Sequence, residues 1–122
     1  MMNTLIIDDE PLALDVLETY ISQMPDLNLV GRCSNALEAN EMLRNNQVDL
    51  IFLDIQMPQL SGVDFIKTLT NPPMFIFTTA YSNYAVEGYE LNAIAYLLKP
   101  IPLDRFMNPV NKATQHFPLR KP

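Results

Sequence analysis

Four charged residues and two threonines stand where short apolar runs end. Asp8 and Asp9 follow Leu5-Ile6-Ile7, Asp54 follows Leu50-Ile51-Phe52-Leu53, Thr78 and Thr79 follow Met74-Phe75-Ile76-Phe77, and Lys99 follows Ile94-Ala95-Tyr96-Leu97-Leu98. Three carboxylates gathered in one place repel one another, and at least one then has its pKa raised. A hard divalent cation with oxygen ligands removes that conflict, and a lysine among the acids asks for an anion as well. Magnesium together with a phosphoryl group meets both demands.

That chemistry needs a scaffold that brings the ends of the runs together. A further run, Leu27-Asn28-Leu29-Val30, completes a set of five whose starts lie 22 to 24 residues apart over the first four and 20 apart at the last. Most are continuous rather than alternating, as parallel strands buried on both faces are. The intervals carry helical patterns. After Pro11, which suits a first helical turn, Leu14, Leu17, Ile21 and Met24 recur at helical spacing while Asp15, Glu18 and Thr19 can face water. Ala36 to Leu43 predicts a second helix capped by Ser34 or Asn35, and Val63, Ile66 and Leu69 a third behind Gly62. A short fourth is expected over Ser82 to Tyr89, weakened by Gly88, and a fifth over Leu103 to Phe117. Pro109 falls inside that last pattern, where a missing amide donor predicts a kink or a break.

Strand and helix signals in alternation imply right-handed βα units, hence an α/β, doubly wound parallel sheet with helices on both faces. Ligands of such sheets bind beyond the carboxyl ends of the strands. Only the second run lacks a polar residue at its end, so the simplest arrangement puts it at an edge, in the order 2-1-3-4-5.

Composition narrows the classes further. The 122 residues fit one domain, and 48% hydrophobic against 18% charged residues can fill a core. No run is long enough for a bilayer, and no basic segment with a cleavage site opens the chain, so a cytoplasmic location without membrane insertion is expected. A net charge of −6 repels phosphate backbones, which argues against direct nucleic acid binding by this segment. The single cysteine, Cys33, reads as a small buried hydrophobe.

The segments Ile7-Asp8-Asp9-Glu10, Leu53-Asp54-Ile55-Gln56-Met57-Pro58 with Gly62, Thr78-Thr79-Ala80-Tyr81 and Tyr96-Leu97-Leu98-Lys99-Pro100 occur in this order, and from about Asn3 to Ala113 the chain resembles the receiver domains of two-component response regulators. Phe77-Thr78-Thr79-Ala80-Tyr81 and Ala95-Tyr96-Leu97-Leu98-Lys99-Pro100 are similar to receivers that precede a LytTR-type DNA-binding domain. The resemblance implies a flavodoxin-like receiver fold over residues 1–117, with 118–122 beginning a linker to an output domain. It implies that Asp54 is the nucleophile that becomes an acyl phosphate, with Mg²⁺ held by side-chain oxygens of Asp9 and Asp54 and the backbone carbonyl of Gln56, and with Asp8 acting indirectly. Lys99 then serves as a point charge on the phosphoryl oxygens, and Thr79 rather than Thr78 donates its hydroxyl to them. Thr79 and Tyr96 would form the switch, Pro58, Gly62 and Pro100 would be structural, and Lys99-Pro100 would be cis, an isomer the residues alone do not show.

The implied partners are a sensor histidine kinase that donates the phosphoryl group, a LytTR-type output domain, and a second copy of the chain in a phosphorylation-dependent homodimer through the fourth helix, fifth strand and fifth helix. Enzymatic character would extend only to assisted transfer onto itself and autodephosphorylation. Three rivals remain on sequence grounds: a stand-alone receiver or phosphorylation-independent pseudo-receiver, a small aspartyl-phosphate phosphatase, and a flavodoxin-like cofactor binder. The phosphatase lacks an Asp-x-Asp arrangement after the first run and a cap insertion, and the acidic pocket would repel a flavin phosphate.

Overall fold

The computed structural model describes residues 1–81 and 91–120, with side chains described through residue 117. The expected fourth helix, with Tyr84, Gly88 and Tyr89, lies outside the described residues. Five strands, β1 (Met2–Ile7), β2 (Leu27–Cys33), β3 (Leu50–Asp54), β4 (Met74–Thr79) and β5 (Ala95–Leu98), form one parallel sheet in the order β2-β1-β3-β4-β5. Helices α1 (Pro11–Ser22), α2 (Ala36–Asn45), α3 (Gly62–Lys67) and a C-terminal helix (Leu103–Arg120) cover its two faces. The expected architecture and strand order are those observed.

The strands are continuously apolar because successive side chains enter two different cores. Ile6, Phe52 and Ile76 pack with Leu14, Leu17 and Ile21 of α1 and with Phe106, Val110 and Ala113 of the C-terminal helix. Leu5, Ile7, Ile51, Leu53, Phe75 and Phe77 pack on the opposite face with Ala36 and Ala39 of α2 and with Val63, Phe65 and Ile66 of α3. Each fully buried large side chain contributes about 1.5–3 kcal/mol, so the two layers hold the sheet rigid between them. The β2 edge shows the expected departure, with Asn28 and Arg32 exposed; Arg32 pairs there with Asp15 at 2.9 Å and Glu18 at 2.7 Å.

Local chemistry sets the helix starts. Pro11 occupies the first turn of α1; the Asn35 side chain accepts from the Glu38 amide at 2.9 Å to cap α2; the Ser61 hydroxyl accepts from the Asp64 amide at 3.1 Å to cap α3. The expected choice between Ser34 and Asn35 thus falls to Asn35, while the Ser34 amide and hydroxyl both donate to Glu38. Helix α3 ends at Lys67, before Leu69, which packs from the following turn.

Of the kink or break expected at Pro109, the break is corrected by the structure. The C-terminal helix runs uninterrupted through Pro109 and on to Arg120, past the expected end at Phe117. Phe106, Val110 and Ala113, each 0% exposed, flank Pro109 and hold the helix against the sheet. Phe106 also stacks on Phe52 with ring centroids 5.0 Å apart. That packing offsets the single missing donor. Among the described residues, no helix is long and apolar enough to cross a membrane.

Candidate functional site

The register of the sheet assembles the site. Ile7 pairs with Leu53, Asp54 with Thr78, and Thr79 with Leu98, so the residues leaving β1, β3, β4 and β5 emerge at one edge. There Asp8 is 0% and Asp54 3% exposed, while Asp9 is exposed. One carboxylate oxygen from each of the three can be chosen so that all lie within 4.8 Å of one another.

Lys99 reaches into this group from the end of β5. Its Nζ is 2.7 Å from Asp8 Oδ2, 3.5 Å from Asp54 Oδ2 and 3.2 Å from Glu10 Oε1. The other oxygens are also engaged: the Glu10 amide donates to Asp8 Oδ1 at 2.9 Å and the Gln56 amide to Asp54 Oδ1 at 3.2 Å. The Lys99 amide donates to the Thr79 carbonyl at 2.7 Å, which fixes the backbone where the side chain turns inward. Lys99-Pro100 is cis.

Burial, then the field of Asp8, push the Asp54 carboxyl up to about 7; Lys99 and the Gln56 amide pull the other way, and a hydrogen bond with Asp9 adds to the rise. Burial works against the Lys99 charge, yet its hydrogen bond to Asp8 and the fields of Asp54 and Asp8 hold the ammonium above its ordinary value. The conflict expected among the carboxylates therefore falls on Asp54. A divalent cation among oxygen donors is the group whose charge would relieve it, so the donor set fits such an ion.

Residues 4–111 match the family model described as the response regulator receiver domain. The chain belongs to that family. It is a receiver-domain phosphoacceptor with a clustered Asp8, Asp9 and Asp54 site of the kind that receiver domains use for Mg²⁺. The transcriptional regulatory protein BtsR of Escherichia coli (strain K12) is 42% identical over 103 residues, covering 83% of this chain and 43% of that protein. The chain thus spans less than half the length of this curated relative. Among solved structures, the response regulatory domain of protein mrkE from Klebsiella pneumoniae has a TM-score of 0.88 at 34% identity, over 98% of this chain and 100% of that one. Response regulator protein TrrA from Thermotoga maritima, solved in complex with Mg²⁺-BeF, has a TM-score of 0.81 at 26% identity, over 93% and 99% of the two chains.

The remaining expected receiver residues fall into two groups. Thr79 stands at the end of β4, its hydroxyl accepting from the Tyr81 amide at 3.0 Å, while Thr78 is buried within the strand. Tyr96 packs on Phe77 with ring centroids 5.2 Å apart, on the α2 and α3 side of the sheet. Gly62 is required by space: a Cβ there would stand 2.3 Å from the Asp54 carbonyl oxygen and 3.0 Å from Leu53 Cγ. Pro58 lies in the turn before it, its carbonyl accepting from the Leu60 amide at 2.8 Å.

Two contacts have no counterpart in the sequence reading. Glu10 joins the Lys99 ion pairs, although the motif containing it assigned it no role. Tyr20 on α1 donates its hydroxyl to the Ile101 carbonyl at 2.8 Å and so ties α1 to the segment that follows Lys99. The only sequence signal for Glu10 is its residue type, since glutamate is an unusual choice just before the first turn of a helix; Tyr20 carries none.

Proposed function

We propose that Asp54 is the residue that accepts the phosphoryl group and that Lys99 binds the group once transferred. The observation that carries this reading is the buried Asp54 carboxylate with the Lys99 ammonium 3.5 Å from Oδ2 and two further carboxylates beside it. An Asp54 oxygen forms the new O–P bond as the P–N bond of a kinase phosphohistidine breaks, and the imidazole departs with the bonding pair. The Gln56 amide orients the carboxylate through Oδ1, and Lys99 meets negative charge on the incoming oxygens.

Asp9, Asp54 and the backbone carbonyl of Gln56 would hold Mg²⁺, with Asp8 orienting the site indirectly. When bound, the ion neutralises charge between the acidic pocket and the phosphoryl group. The complex of TrrA with Mg²⁺-BeF supports this reading by likeness.

A sensor histidine kinase is the donor, and hydrolysis of the acyl phosphate resets the domain. Thr79 leaves Tyr81 for a phosphoryl oxygen, and the change passes through Tyr96 to the face formed by β5 and the C-terminal helix, which then pairs with a second copy of the chain. Residues 1–117 form the receiver, residues 118–122 lead toward a LytTR-type DNA-binding output domain, and the whole works in the cytoplasm. The naming of BtsR as a transcriptional regulatory protein and the wording of Phe77–Tyr81 and Ala95–Pro100 support that output.

Peptide mapping after incubation with a phosphorylated kinase, in a buffer that preserves acyl phosphates, should place the modification on Asp54; a dominant site elsewhere refutes the assignment. Sedimentation of the phosphorylated and unmodified protein tests the pairing, and equal mass with modification confirmed would refute it.

A further inference from the structure

Glu10 occupies the N-cap position of α1, where a side chain normally accepts a hydrogen bond from the first helical turn. Its side chain makes no such bond. The Glu10 backbone does the helix work, its carbonyl accepting from the Ala13 amide at 3.1 Å and the Leu14 amide at 3.2 Å. The carboxylate is 67% exposed and turns instead to Lys99 Nζ at 3.2 Å. Glutamate is a poor cap compared with serine, threonine, aspartate or asparagine, so helix formation does not account for it.

An ammonium has three donors. In this protein the carboxylates of Asp8, Glu10 and Asp54 lie 2.7, 3.2 and 3.5 Å from the Lys99 ammonium, the Glu10 contact being a hydrogen bond, so its charge is shared among three carboxylates before any phosphoryl group arrives. Formation of the acyl phosphate neutralises Asp54, and the donor facing it can pass to the phosphoryl group attached there. Turning the ammonium further toward the phosphoryl oxygens draws it away from Asp8 or Glu10. Releasing Asp8 would strand a carboxylate that is 0% exposed, whereas Glu10 is open to water and loses little on release.

We propose that Glu10 is a positioning residue for Lys99: it holds the ammonium in the pocket of the unmodified protein, competes with the phosphoryl group for it, and is the acceptor that Lys99 gives up. The proposal rests on the reading of Lys99 as the phosphoryl-binding group. It adds a residue outside the three clustered aspartates and assigns it an effect on how tightly the modified state is held.

The test is beryllofluoride binding at saturating Mg²⁺, with autodephosphorylation measured in parallel, for wild type, Glu10→Gln and Glu10→Asp. Aspartate keeps the charge but is one methylene too short for the contact. Both variants are expected to bind beryllofluoride about two- to fivefold more tightly, the range that loss of one exposed ion pair supports, and to retain the phosphoryl group longer. In a Lys99→Ala background the Glu10→Gln effect should disappear, since no ammonium remains to be contested. Tightening in Glu10→Gln alone, with Glu10→Asp like wild type, would reveal only a change in net charge and overturn the proposal. Unchanged or weaker binding in both variants, or an effect that persists without Lys99, would overturn it too. Failure of the wild type to bind beryllofluoride at all would instead remove the underlying reading of the site.

Discussion

Replacing Asp54 by asparagine should stabilise the metal-free protein, and the gain should grow with pH. In the folded chain the Asp54 carboxyl is pushed from 3.8 up to about 7. Each pKa unit corresponds to about 1.4 kcal/mol, so keeping this group ionised costs up to ~4 kcal/mol at pH 8. Asparagine stands in for the neutral carboxyl, and because the charge of Asp54 is shared with Asp8 and Lys99 the expected gain is discounted to about 1–3 kcal/mol. Because the folded pKa is the raised one, the stability linked to wild-type Asp54 is fully present below its unfolded pKa and is lost as pH rises through about 7. The advantage of Asp54→Asn should therefore be small at pH 5 and complete at pH 8. Urea unfolding in excess chelator at both values measures it. Added Mg²⁺ should then raise the wild-type midpoint more than that of the variant. A variant less stable than wild type at pH 8 without divalent ions, or a difference that does not change with pH, would refute the reasoning.

Asp9→Ala should weaken Mg²⁺ binding by at least the roughly 10- to 100-fold that outer-shell partners alone supply, measured by calorimetric titration; equal affinity would move the ion elsewhere. Lys99→Ala should slow phosphorylation by about 10²-fold or more while its unfolding curve moves much less, and a collapsed fold with normal chemistry per folded molecule would reverse that role. Gly62→Ala should destabilise by about 1–3 kcal/mol because the new methyl carbon meets the Asp54 carbonyl oxygen at 2.3 Å, read from the same urea midpoints.

The sheet was legible because each strand is a short apolar run and each run but the second delivers a polar residue at its end. Asp8, Asp54 and Lys99 could be brought together by that pattern alone, before any distance was known. The break expected at Pro109 is absent because a local rule about a missing donor omits the tertiary packing of Phe106, Val110 and Ala113, which outweighs it. Glu10 and Tyr20 were not legible for the opposite reason: their partners, Lys99 and Ile101, lie 89 and 81 residues away along the chain, and neither pairing leaves a local periodicity. The isomer of Lys99-Pro100 and the choice of Thr79 over Thr78 likewise depended on likeness to a family rather than on residue chemistry.

The central claim is that Asp54 takes the phosphoryl group in a reaction that needs a divalent ion. Intact-mass measurement after incubation with a small phosphodonor such as acetyl phosphate tests it directly. The account predicts one added phosphoryl group on the wild-type chain with Mg²⁺, none when the metal is chelated, and none on Asp54→Asn under either condition. Equal labelling of Asp54→Asn, or labelling of the wild type that ignores the chelator, would contradict it.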